Sequence, residues 1–520
     1  MFFACVLSDA HDLITTKLTW SREISRVVIP KCGGCHRDGG AAFPLTTYEQ
    51  LRPWAKAIKE QVLERQMPPV AAVRGFSDLQ EDESLTQEQI GLIAAWVEGG
   101  APEGDRALLA PELEPKSARK SPVVAANGAF HVAGIRVLEQ KSTFVGLKAA
   151  GLAEGASLRA VAESPDGTVT PLVWLYKYRK QFDRPYYFRT PLTFPAGTKI
   201  ITDPAASGSI ALLQGTAEER QRPVVAGNEP ALVKQSISVL AKPGATPLDY
   251  VCPMDPDVRS DKPGRCPRCG MEFKLGIPDE RDYRMEVNAP SKLRSVQPAQ
   301  LEFRFRDGKT GATVRNFEIM HEKLFHLFVI SNDLKHFEHV HPASHPDGTF
   351  TIEERFPHAG MYRLVADVYP TAGTPQLLSR PVFVPSGPNG AVSLSDTKLS
   401  PDEGVRHGEN TDVQLLTQGL NPIAGTKTHL SFRFNTAEGM QMYLGAWAHM
   451  FIASDDTLDV LHEHPVIGTG GREIQFDIIF PRARTYRVWI QFQRDNVVNT
   501  VAVNIPVITL EQAFATSSSR

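Results

Sequence analysis

An internal duplication constrains this chain more than any other feature. His326-Leu327-Phe328-Val329-Ile330, followed by His339-Val340-His341-Pro342, recurs as His449-Met450-Phe451-Ile452-Ala453 followed by His462-Glu463-His464-Pro465. All three histidines repeat at an offset of 123, whereas Phe356-Pro357 and Tyr362-Arg363 recur as Phe480-Pro481 and Tyr486-Arg487 at an offset of 124. One residue was therefore inserted between the blocks. A repeat of this kind is one structural unit used twice, and alternating strands over 362–368 and 486–492 make each unit of β-sandwich size, at residues 283–387 and 395–508. Residues two apart in a strand share a face, so both histidines of each His-x-His point the same way and the earlier histidine can join them from a neighbouring strand. Three imidazoles can hold copper or zinc. His326, His339 and His341 outrank the second set because His321, His336 and His345 crowd the same 25-residue stretch. The alternative is that His-x-His-Pro marks a turn, with its imidazoles hydrogen-bonded or exposed.

At 520 residues the chain is long enough for about three to five domains. With 42% hydrophobic and 22% charged residues and a net charge of -3, it belongs to neither a disordered nor a polycationic class, and nucleic acid is not an expected partner. No apolar run reaches the roughly 18 residues of a membrane-spanning helix. The start, Met1-Phe2-Phe3-Ala4-Cys5-Val6-Leu7, is apolar but lacks a basic region and is short for a signal peptide. Membrane association would need a missing signal or an anchor such as a lipid on Cys5. The other five cysteines fall into a pair at 32 and 35 and a trio at 252, 266 and 269, which argues for two local sites rather than a disulfide framework.

Residues 21–31 read as a short helix leading directly into Cys32-Gly33-Gly34-Cys35-His36. Two thiols three apart can each add to a haem vinyl group, with the adjoining histidine held beneath the iron, so the motif calls for one covalent haem c and an exported, periplasmic or secreted, setting. A redox or zinc-binding CxxC is the alternative. After His36 the next histidine is His131, whereas Met67 sits in Arg65-Gln66-Met67-Pro68-Pro69, where prolines end a helix. Met67 is thus the candidate sixth ligand, against a plain core methionine. A helix over 53–65 and another opened by the capping box Thr86-Gln87-Glu88-Gln89 complete an expected all-α domain over residues 1–105. This segment looks like the single-haem cytochrome c domains of large secreted bacterial proteins, a resemblance that implies His36/Met67 ligation. With 10 Lys and Arg against 15 Asp and Glu it is mildly acidic, which suits transient docking of a basic redox partner protein.

Residues 106–122 read as a linker. The β-rich stretch 123–235 is similar, over 165–200, to the C-terminal β domain of ascorbate-dependent copper monooxygenases. It has no histidine between His131 and His321 and no methionine between Met67 and Met254, so a structural or docking β-sandwich is expected in place of a monooxygenase. Over 248–275, Cys252-Pro253-Met254-Asp255 leads to Cys266-Pro267-Arg268-Cys269-Gly270-Met271, which resembles the heavy-metal-binding module of copper and silver efflux proteins. Cys252, Cys266 and Cys269, with Met254 and Met271 nearby, suit a soft ion such as Cu(I), or Zn(II). That family usually carries histidine where Asp255 stands, which leaves the fourth ligand open, and a disulfide-stapled knuckle is the alternative. Residues 509–520 read as a frayed tail.

The expected fold class is thus multidomain α + β: an N-terminal all-α cytochrome c domain, several β-sandwiches and a small cysteine knuckle. The expected function is an exported electron carrier rather than an enzyme, with accessory copper or zinc sites. The alternatives are a copper-handling protein that couples haem redox to soft-metal capture, and a haem-linked oxidoreductase with its metal on His326, His339 and His341.

Overall fold

The computed structural model describes residues 13–80, 83–110, 128–215, 249–276, 281–371, 373–386, 393–402, 404–416, 421–466 and 470–517. Cys5 and most of the expected linker lie outside them. No described helix is long and apolar enough to cross a membrane.

The expected fold class is overturned. Strands make up 41% of the structure and helices 13%, and the described residues form no large N-terminal all-α cytochrome domain. The N-terminal segment holds only short helices, Ser25–Cys32, Tyr48–Leu51, Ala55–Leu63 and Gln87–Glu98. They gather around Trp20, Ile24, Val28, Leu51, Ile93 and Trp96. The capping box is as read: Thr86 Oγ1 accepts from the Gln89 N–H at 3.2 Å and Gln89 Oε1 from the Thr86 N–H at 3.1 Å. After Met67, however, the chain leaves the helices. Pro68 and Pro69 forbid helix, and an extended strand must find partners for its N–H and C=O groups. It finds them on the next domain, where Val73 N–H donates to Trp174 O and Gln80 N–H to Tyr187 O, both at 2.8 Å. Ala72 enters that domain's core, with Val70, Ala71 and Leu79 packed against it.

That domain, residues 129–214, is a sandwich of two four-stranded antiparallel sheets closed over Phe144, Leu158, Leu172, Phe188 and Leu212. A three-stranded knuckle follows, with Tyr250–Val251 between Arg259–Ser260 and Lys274–Leu275. Each C-terminal repeat is a sandwich too. The inner sheet of the first orders Phe337–Val340, Phe325–Ser331, Gly360–Val368 and Gln376–Val384. The second orders Val460–Glu463, His449–Ser454, Thr485–Arg494 and Val497–Pro506 in the same way. Matching turns keep matching backbone: Leu334 and Thr457 both sit at positive φ, +57° and +59°, and so do His321 and Leu444, both at +48°.

The two inner sheets face each other. Phe328 stacks on Phe451, its own equivalent at offset 123, with centroids 4.4 Å apart. Phe337 stacks on Trp489 at 4.8 Å. Contact between equivalent residues marks a two-fold relation between the repeats. Each buried aromatic ring here is worth about 1.5–3 kcal/mol of removed apolar surface. The expected frayed tail is instead a helix, Leu510–Ser517. Thr509 and Gln512 form a reciprocal cap that its sequence spelled out as Thr-x-x-Gln.

Candidate metal centres

The knuckle gathers its donors within 18 residues. Cys252 follows the strand Tyr250–Val251, and Cys266 and Cys269 flank a tight turn in which Gly270 N–H donates to Cys266 O at 2.9 Å and Gly270 takes φ of +71°. The Cys252 and Cys269 sulfurs lie 3.3 Å apart, and Asp255 Oδ2 is 3.4 Å from the sulfurs of both Cys252 and Cys266. All three cysteines are buried, and all are free thiols rather than a staple. Asp255, the departure in the sequence pattern, therefore stands in the fourth donor position. Thiol hydrogen bonds from Cys252 and Cys269 draw Cys266 below the usual thiol value, while those two thiols are pushed up. Burial, with Cys266 beside it, raises Asp255 to about 7. Three thiols and a carboxyl in one buried space can keep little negative charge by themselves; a soft cation releases their protons and takes their place. Met254 and Met271 pack around the thiols together with Val258, Phe273, Met320 and Tyr369.

The histidines form a second, larger group. In the first repeat, Phe328 pairs with His339 and Leu327 with Val340 across the two strands. That register brings His326 beside His341 and His339. His326 Nδ1 lies 2.9 Å from His339 Nε2 and 3.1 Å from His341 Nε2. The outer nitrogens are held: His326 Nε2–H donates to Met320 O at 2.7 Å and His339 Nδ1–H to Gln491 Oε1 at 2.7 Å. A carbonyl oxygen only accepts, so each proton sits on the outer nitrogen and a lone pair faces inward.

The second repeat builds the same trio. His449 Nδ1 lies 3.4 Å from His462 Nε2 and 3.1 Å from His464 Nε2. His449 Nε2–H donates to Tyr443 O at 2.9 Å, and His462 Nδ1–H to Asp367 Oδ2 at 2.7 Å. Burial pushes His326 and His341 down to about 4 and His449 to about 3, and the remaining members well below the usual imidazole value. Near neutral pH these are uncharged rings with inward lone pairs, the form that a metal ion binds.

The trio His326, His339 and His341 is thus brought together as the sequence reading had it. Three features of the centre were not read from the sequence. The second repeat's histidines also gather around its first one, the two groups meet at the repeat interface, and Asp367 and Gln491 orient histidines of the opposite repeat. Of the extra histidines, only His321 joins. It is 4% exposed, stacks on His464 at 4.0 Å, and reaches the second repeat's trio rather than its own. His336 lies instead with Glu338 and Glu354, and His345 bonds Thr351 Oγ1 at 2.7 Å. The positive φ shared by His321 and Leu444 hints at equivalence, yet no spacing rule says which trio His321 serves.

At the N-terminus, Cys32 ends its helix half-buried and Cys35 is exposed. His36 N–H donates to Cys32 O at 2.9 Å, and His36 Nδ1–H to Phe43 O at 2.9 Å, which leaves Nε2 as the free nitrogen. The cavity that Met67 lines, with Val62, Pro68 and Leu85, includes neither cysteine nor His36.

Comparison with known proteins agrees with this division of the chain. Residues 250–274 match the heavy metal binding domain family. Residues 279–378 and 406–508 each match a family described as a domain of unknown function, DUF8832, which places the duplication seen in the sequence within one family. A copper-transporting P-type ATPase of Rhizobium leguminosarum bv. viciae is 54% identical over 39 residues, 7% of this chain and 5% of that protein's length. Among solved structures, the two-domain fibronectin type-III segment of chicken tenascin covers 43% of the chain at 8% identity and a TM-score of 0.14. The tetra-tandem repeat of a large adhesion protein covers 73% at 9% identity and a TM-score of 0.17. The chain therefore carries a heavy metal binding domain, whose cysteines form one cluster of metal-ligating geometry, together with separate clusters of histidine.

Proposed function

We infer that this chain handles copper, holding Cu(I) in its cysteine knuckle, and that it works in the bacterial envelope. One observation carries the reading: the sulfurs of Cys252, Cys266 and Cys269 and a carboxylate oxygen of Asp255 lie within 4.8 Å of one another in a buried space. Thiolate donors select Cu(I) and Zn(II) over harder ions, and the copper-transporting relative favours copper between those two. The test is an anaerobic Cu(I) competition against a chromophoric chelator, using the full chain and Cys252→Ser. One tightly held Cu(I) per chain, lost in the variant, is expected. Uptake unchanged in Cys252→Ser would overturn the reading.

A second reading gives the chain a covalent haem, supported by the two thiols of Cys32 and Cys35 and by the free Nε2 of His36, whose ring the Phe43 carbonyl holds in place. Bound there, haem would be held by Cys32, Cys35 and His36 and would supply one-electron transfer to a protein partner. Co-expression with cytochrome maturation factors should then add one haem to the mass of the chain. An unmodified mass would sink this reading without touching the first.

A further inference from the structure

We propose that the two histidine trios are one two-ion centre. One borderline divalent ion such as Cu(II) sits on His326, His339 and His341, and a second on His449, His462 and His464, with His321 lent across the interface as a fourth imidazole. The centre is separate from the thiolate knuckle and differs from it in chemistry: its donors are all imidazole nitrogen, which suits Cu(II) and Zn(II) rather than a soft ion.

Three observations carry the inference. First, in each trio the Nε2 atoms of the two later histidines stand within 3.4 Å of Nδ1 of the first, and the proton of that first histidine is fixed on the far side by a backbone carbonyl, Met320 O or Tyr443 O, which are themselves equivalent at offset 123. Second, the supports of the middle histidines are exchanged between repeats. Gln491 and Asp367 are equivalent at offset 124, yet Gln491 holds His339 of the first repeat and Asp367 holds His462 of the second. Neither trio is oriented by its own repeat alone, so the centre exists only in the pair. The rings of the two trios approach to 6.1 Å between His339 and His449 and 6.4 Å between His339 and His462, centroid to centroid. Third, both ring nitrogens of His321 are buried without a hydrogen-bond partner. Leaving a buried polar group unpaired costs about 1–3 kcal/mol, and a lone pair given to a cation removes that cost for the nitrogen that gives it. His321 lies 5.0 Å from His449 and 4.0 Å from His464 between ring centroids, and its ring nitrogen stands within 4.8 Å of theirs, which adds to the second site a donor that the first lacks.

The inequality of the two sites provides the test. The full chain is prepared with all six cysteines, Cys5 included, replaced by serine, so that no thiol binds or reduces the ion, and Cu(II) is added. The expected result is two Cu(II) per chain, nitrogen-ligated and mutually broadened in their electron paramagnetic resonance spectrum, with the two ions leaving at different rates under a chelator. His341→Ala should remove the faster ion, His464→Ala the slower, and either should sharpen the spectrum of the ion that stays. His321→Leu, which copies the residue at the equivalent position 444, should keep two ions but speed release of the slower one about tenfold or more. Because position 444 holds leucine at the same φ, this variant is expected to fold. One ion or none per chain, two ions without mutual broadening, or release unchanged in His321→Leu would each overturn the proposal. Since the knuckle is removed throughout, these outcomes are independent of Cu(I) binding there.

Discussion

The cysteine knuckle and the histidine centre solve one problem at opposite scales. The knuckle takes four donors from residues 252–269, and its prolines and glycines bend a short chain around them. The histidine centre takes seven imidazoles from two successive domains whose equivalent histidines lie 123 residues apart, and two rows of strands, a stacked Phe328–Phe451 pair and an exchanged Asp367/Gln491 support hold them. The contrast shows what sets the strength of each site. A knuckle depends on its own turns, whereas an interface centre depends on everything that fixes one domain against the other.

The largest test of that contrast is Arg482→Met. Arg482 is buried, bonds both carboxylate oxygens of Asp456 at 2.8 Å and Asp459 at 2.7 Å, and reaches Tyr176 of the preceding β-sandwich at 2.9 Å. Asp459 also meets Arg65 from the N-terminal segment at 3.0 Å. Removing the guanidinium leaves two buried carboxylates with only Arg65 and Arg484 against them, a loss of up to about 3–5 kcal/mol, to be read as a lowered thermal transition. Divalent-ion uptake by the histidine centre should fall while Cu(I) stays on the knuckle; equal loss at both sites would break the contrast. The same network predicts an acid limit. Burial alone would raise the Asp456 carboxyl, but Arg482 and Arg484 outweigh it and hold it below its usual 3.8. A depressed carboxyl contributes stability that is fully present above its unfolded value and is lost as pH falls below it. The acid melting of wild type should therefore steepen below about pH 4, and Arg482→Met should lose that step.

A middle-sized test is Asp367→Asn. The carboxylate oxygen on His462 Nδ1 gives way to an amide, and the loss of such an outer support typically costs about 10–100-fold in metal affinity. The loss should fall on the second repeat's ion, although the substitution lies in the first repeat. A loss confined to the first repeat's ion would refute the exchanged support.

What could be read from the sequence follows the same division. The knuckle was visible because its cysteines are close in the chain, and only Asp255 was undervalued, through comparison with a histidine that stands elsewhere. The trios were visible as repeats, since strand alternation settles which side chains share a face. Their meeting was not, because no local pattern encodes which sheet face covers which. His321 belonged to the crowded first stretch yet serves the second. At the N-terminus the capping box was legible, but the course of residues 70–80 was not: prolines say where a helix stops, not which sheet edge will accept the chain that follows. Thr509-x-x-Gln512 carries its helix start in the sequence, since Thr and Gln three apart can each accept from the other's backbone N–H.

The smallest test asks how self-contained the knuckle is. Gly270 takes φ of +71°, which an L side chain adopts at a cost of about 1–2 kcal/mol. A Cβ there would also stand 2.9 Å from the Gly445 carbonyl of the second repeat. Gly270→Ala should therefore lower the thermal transition by a few degrees and loosen Cu(I) modestly, because the turn that carries Cys266 and Cys269 must shift. Divalent-ion binding by the histidines should stay at the wild-type level, since their orientation comes from the facing sheets and not from this turn. If Gly270→Ala weakens the histidine centre as much as the knuckle, the contact at Gly445 transmits the shift. The knuckle would then be the third wall of the interface rather than a site of its own.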